Sequence, residues 1–163
     1  MTKDSTLSRW RCSHVAVSAC LLILITTAAG VLAQTEPQGD PIVGGLKGRL
    51  SSTNVGEKAK LCLQIAERQM VETSKFYAAS EDEKAQPALT DVVAYSELAR
   101  DYSIQSHKHQ KQTEIAVRGM ARKLTEILHT LGREEQAPVK DALNRLQRVR
   151  DDLLASMFSK GDK

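Results

Sequence analysis

His107 and His109 stand two positions apart in the stretch SIQSHKHQKQTEI, residues 103–115, and make up half of the four histidines in the chain. Imidazoles bind a metal when their nitrogens converge, and on a helix convergence needs a spacing of three or four, as in H-E-x-x-H. At about 100° per residue, a spacing of two turns His107 roughly 160° away from His109. No carboxylate shares the matching face. The pattern predicts no metal site, and His109 is the one residue here that a metal could take from the inner side.

Nucleophilic chemistry has equally little to work with. The sequence contains no G-x-S-x-G, no phosphate loop and no C-x-x-C, which are the spacings that activate a serine, cradle a phosphate or poise a thiol. C-x-x-C-H is absent too, which excludes covalent haem attachment. Cys62, between Leu61 and Leu63, reads as a small core residue, although side-by-side packing of two helices would carry it toward His109. Met70 with His109 is the remaining pair that could hold a noncovalent cofactor, and methionines at helical spacing normally pack. The expectation is a non-enzyme without a cofactor.

The elements that carry these residues follow a leader. Lys3, Arg9 and Arg11 precede an uncharged apolar run at residues 15–33 that ends in Val31, Leu32 and Ala33. This is the layout of a secretory signal peptide cut between Ala33 and Gln34. The alternative is an uncleaved N-terminal membrane anchor, since about 20 apolar residues span a bilayer. VSAC at 17–20 resembles a lipoprotein box, but there the apolar core would follow the cysteine. Arg9 and Arg11 are split by Trp10, so no twin-arginine signal is present.

Removal of residues 1–33 takes two of the three net positive charges and two of the three cysteines with it. The mature chain then carries +1 and a single thiol, Cys62, which excludes an internal disulfide. Residues 34–54 are interrupted by Pro, Gly, Ser and Thr and read as an arm or linker.

From residue 55 to 160 the chain reads as a helical domain. Asn54 with Glu57 forms a capping-box pair for a first helix running to about Ala79. Its inner stripe is Val55, Ala59, Cys62, Leu63, Ala66, Met70, Thr73 and Tyr77, spaced by threes and fours. Ser80 and Glu83 repeat the box, and Pro87 is placed to begin the next helix. Tyr95, Ala99, Tyr102, Ser106, His109, Thr113, Val117, Met120, Leu124, Ile127 and Leu131 then succeed one another by threes and fours. One continuous helix of some 40 residues, about 60 Å long, accounts for that spacing. Gly132 stands at the expected C-cap. After it Pro138 opens a stripe of Val139, Ala142, Leu146, Val149, Leu153 and Met157. The fold class is all-α, an antiparallel bundle of three long helices with coiled-coil-like packing, or four if the central helix breaks near residues 103–110.

Ser106, His109 and Thr113 form a polar seam in this reading. Buried polar layers weaken packing while restricting register. On a continuous helix, His109→Leu raises stability by about 1 kcal/mol, and the same change at His107 does nothing.

Charge is uneven along the chain. Residues 103–163 hold 12 basic and 8 acidic side chains, against 8 and 11 in residues 34–102. Lys108, Lys111, Arg118 and Arg122 lie along one side of the central helix, and Arg145, Arg148 and Arg150 on the last. They read as a solvated face, or as a basic end that meets another protein or an anionic surface. Aromatic residues for stacking on bases are missing there, which excludes nucleic acid. Together these features predict an exported protein, periplasmic or extracellular, that acts through a helix face on another envelope protein or on itself. A ligand- or metal-binding bundle of periplasmic sensor type is the alternative.

Overall fold

A computed structural model describes residues 40–159. The expected leader, its cleavage site and residues 34–39 lie outside them. The described residues form five helices, α1 (Pro41–Leu50), α2 (Val55–Ala78), α3 (Asp82–Ser106), α4 (Gln110–Thr130) and α5 (Gln136–Phe158), and contain no strand. Among them, no helix is long and apolar enough to cross a membrane.

Helix α1 occupies sequence expected to be an irregular arm. Asp40 caps it by accepting from the Ile42 amide at 2.9 Å, and Pro41 at the first position presets a helical φ. Gly44, Gly45 and Gly48, the residues that suggested a loop, face open space. They weaken the helix by about 1 kcal/mol each relative to alanine, and tertiary contacts offset this. Val43 is buried, Asp40 pairs with Arg68 at 3.1 Å, and Lys47 reaches Asp91 at 2.8 Å. The α2 flank carrying Leu61, Ile65 and Arg68 is therefore covered by α1.

Helix α2 starts as its sequence predicts, with the Asn54 side chain accepting from the Glu57 amide at 3.0 Å. From Ala59 onward the expected stripe is buried throughout, while Val55 is half-buried. The exit differs from expectation. Ser80 adopts a left-handed conformation, φ 56, so it cannot cap α3 from an extended backbone. Instead the Ser80 amide donates to the Tyr77 carbonyl and the Glu81 amide to that of Phe76, the paired bonds of a Schellman ending. Helix α3 accordingly begins five residues before Pro87, which lies inside it. Pro87 is exposed and forgoes one backbone bond near the helix start. Asp82 and Glu83 complement the amide end of the helix dipole, and fully buried Ala85 ties the first turn into the core.

The helix expected to run continuously through residues 95–131 is interrupted. His107 and His109 both adopt left-handed backbone conformations, φ 54 and 62, and end α3 and begin α4 with Lys108 between them. The break falls in the 103–110 window where the polar stretch allows one. The core register of α3 also differs. Ala85, Leu89, Val92, Val93, Ser96, Ala99 and Ser103 face inward, whereas Tyr95 and Tyr102 lie half-buried at the edge under the ammonium groups of Lys47 and Lys58. Beyond the break Thr113, Val117, Met120 and Leu124 are buried as expected. Gly132 is not left-handed; Leu131 ends α4 in an extended conformation, and the Gly132 amide donates to Glu135.

Two hairpins result, α2 with α3 and α4 with α5, each with its larger interface internal. They meet through α3 against α5 and α2 against α4, while the α2 and α5 backbones lie farther apart. Glu97 pairs with Arg145 and Arg100 with Asp152, so α3 and α5 run parallel. The core between the hairpins is aliphatic: Cys62, Met70, Leu89, Val92, Val117, Leu124, Leu146, Val149 and Leu153 all belong to one cluster. Among the described residues no buried side-chain nitrogen or oxygen lacks a hydrogen-bond partner.

Candidate functional site

The histidine pair does not lie on a helix, so the angular relation expected between His107 and His109 does not exist. His107 is exposed, and His109 is half-buried with its Nδ1 3.3 Å from Oε1 of Gln112. Among the described residues no group of three or more His, Cys, Asp and Glu side chains is placed to hold a metal ion. The expected polar seam is likewise redistributed. Ser106 is half-buried and donates to the Tyr102 carbonyl at 2.6 Å, while Thr113 is fully buried against Ser103. The buried polar layer is thus Ser103 with Thr113. Ser103 could have been found by starting the α3 register at Ala85 and stepping through Leu89, Val92, Ser96 and Ala99.

Cys62 is fully buried, and burial pushes its thiol up to about 11, with Lys58 one turn away offsetting part of that. A thiol so placed is protonated at neutral pH and unreactive. The α3–α4 turn lies beside Gly56, where an added Cβ would come within 3.1 Å of the Lys108 stem. Gly56 is six residues, or about 9 Å, along α2 from Cys62. Met70 is buried in the aliphatic cluster.

The six basic candidates separate into two kinds. Arg145 is a strut, since its guanidinium grips Glu97 through two bonds of 3.0 and 2.8 Å that raise its pKa. Lys111, Arg118 and Arg122 are exposed on α4, Lys108 is exposed in the turn before it, and Arg148 is exposed on α5. Lys111, Ile115, Arg118 and Arg122 are spaced four, three and four and so form one row opposite the buried stripe. Ile115 in that row is 49% exposed, and Gly119 beside it faces open space. Of the two acids of this helix, Glu126 is exposed at the far end of the same row, four residues beyond Arg122, and Glu114 is turned the other way. Glu114 is buried, accepting from Arg150 of α5 at 2.9 Å with Arg118 at 3.7 Å. The row is therefore basic around an aliphatic centre from Lys111 to Arg122 and closes on Glu126. Its cations are evident from residue type and spacing, whereas Ile115 stands out only once the buried side of α4 is known.

A second feature lies at the opposite end of these helices. A cavity of about 460 Å³ is bordered by Tyr77 of α2, Asp82 of α3, Ile127 and Leu131 of α4, and Glu135 before α5. The Tyr77 pKa is raised, first by burial and then by the charge of Asp82, with a smaller push from Glu135; the hydrogen bond from Gln86 opposes them. An apolar floor under carboxylates suits a cationic group. Comparison with models of protein families, with curated proteins and with solved structures finds no match to this chain.

Proposed function

We propose that this is an exported, non-enzymatic helical protein that binds another envelope protein through the outer row of α4, with α2 to α5 packed in coiled-coil-like fashion. The carrying observation is Ile115, half exposed among Lys111, Arg118 and Arg122. An aliphatic side chain ringed by cationic stems offers an apolar contact to desolvate and a field that steers an acidic partner. Burial of Cys62 and Met70 supports a role without covalent chemistry.

A photo-crosslinking side chain at position 115, compared with one at exposed position 140 on α5, tests this in the native cell. A discrete partner captured from 115 and not from 140, and lost on Arg118→Glu with Arg122→Glu, is the expected result. Equal capture from both positions rejects the surface.

A second reading, a ligand-binding bundle, is favoured by the cavity beside Tyr77. Small organic amines should then raise the melting temperature, and Asp82→Asn with Glu135→Gln should remove the effect. No shift with any amine in the original protein rejects it.

A further inference from the structure

Residues 107–109 are the only backbone link between the two hairpins, and both histidines in that link adopt left-handed φ. That conformation is unfavourable for a residue with a Cβ. Ser106, His109 and Thr113 nevertheless keep the three and four spacing of an unbroken helix, on which the buried faces ending at Ser103 and starting at Thr113 would be offset by about 80°. Local bonds also conform to one. The Thr113 amide and hydroxyl both donate to the His109 carbonyl, at 2.8 and 3.0 Å, and the Ser106 hydroxyl donates to that of Tyr102. These are i to i−4 bonds that a straight helix keeps. Straightening would release both strained residues and add the backbone bonds that the turn omits.

A single chain is held closed by what lies between its hairpins: Glu97 with Arg145, Arg100 with Asp152, Ser103 with Thr113, and the aliphatic core. A second copy can return every one of these contacts. Helices α3 and α4 run in opposite directions when closed, so straightening carries the α4–α5 hairpin off its own α2–α3 hairpin. It then lies along that of a two-fold-related copy. We propose that the inter-hairpin face of α2 and α3 is also the docking surface for α4 and α5 of a second copy, giving a hairpin-exchanged dimer with α3 and α4 fused into one helix. Short strained hinges are the recognised setting for such exchange. The outer row of α4 stays outward in both forms, so the dimer stands or falls separately from the partner surface proposed above.

Two full-length chains of different mass, each with Cys12, Cys20 and Cys62 replaced by serine or alanine, test it. One carries Glu97→Cys and the other Arg145→Cys. After joint unfolding and refolding, oxidation can link position 97 of one chain to position 145 of the other only if α5 has crossed between copies. The expected result is a covalent heterodimer with the natural hinge. Its yield should rise roughly tenfold with His107→Ala and His109→Ala, which favour helix, and fall by a similar factor with His107→Gly and His109→Gly, which relax the turn. Arg100→Cys with Asp152→Cys repeats the measurement should the first pair disturb folding. No heterodimer with the natural hinge from either pair, or one yield for all three hinges, overturns the proposal.

Discussion

The hydroxyl oxygens of Ser103 and Thr113 lie 2.9 Å apart, both residues fully buried, just inside the point where α3 and α4 enter their turn. Thr113 spends its proton on the His109 carbonyl, so Ser103 is the donor to Thr113. Thr113→Val leaves Ser103 without its acceptor and should cost about 1–2 kcal/mol, whereas Ser103→Ala should cost about half as much because Thr113 keeps one bond. The double variant should be less destabilised than the sum of the two. Urea unfolding of all four proteins measures that coupling, and strict additivity would mean that the bond is not formed.

Left-handed φ at His109 reverses the substitution expected for a continuous helix. His109→Leu should lower stability, and His109→Gly should raise it by about 0.5–1 kcal/mol, with the same order at His107. Thermal melts of the four single variants check this. A stabilising leucine at 109 alone would restore the unbroken helix.

Cys62 links stability to alkaline pH. Its folded pKa, about 11, lies above the ordinary 9.0, so its contribution is fully present below pH 9.0 and is lost as pH rises through the folded value. Two pH units correspond to roughly 2–3 kcal/mol. Urea midpoints at pH 8 and pH 10.5 should therefore fall further for the original protein than for Cys62→Ala. Parallel pH profiles for the two proteins would contradict a buried thiol.

Asp91 gathers three helices, accepting from Lys47 of α1 at 2.8 Å and from Gln69 of α2 at 3.1 Å while standing on α3. Asp91→Asn removes the charge that holds Lys47. Amide exchange in α1 should accelerate severalfold while the cores of α4 and α5 remain protected, since α1 is attached chiefly through such contacts. Uniform acceleration across all five helices would show that α1 is not a separable unit.

The sequence by itself determined that the described chain is helical and which sides of α2, α4 and α5 are buried. Cys62, Ala66 and Met70, or Val117, Met120 and Leu124, mark an inner face by spacing alone, because large apolar side chains repeat with the helix period. The Asn54 cap was legible for the same local reason. Tertiary structure decided what local signals carry weakly or misstate. Ala85, Ser96 and Ser103 are too small to announce a core register, yet close packing with α2 selects them over Tyr95 and Tyr102. Gly44, Gly45 and Gly48 argue against a helix until Val43, Asp40 and Lys47 are anchored by neighbours. Arg145 and Arg118 are alike as letters; two bonds to Glu97 of α3 make one a strut, while the other keeps only a 3.7 Å approach to Glu114 and stands exposed on α4. The break at His107 and His109 is the clearest case. The periodicity passes straight through it, and the contacts between hairpins outweigh the cost of two left-handed residues.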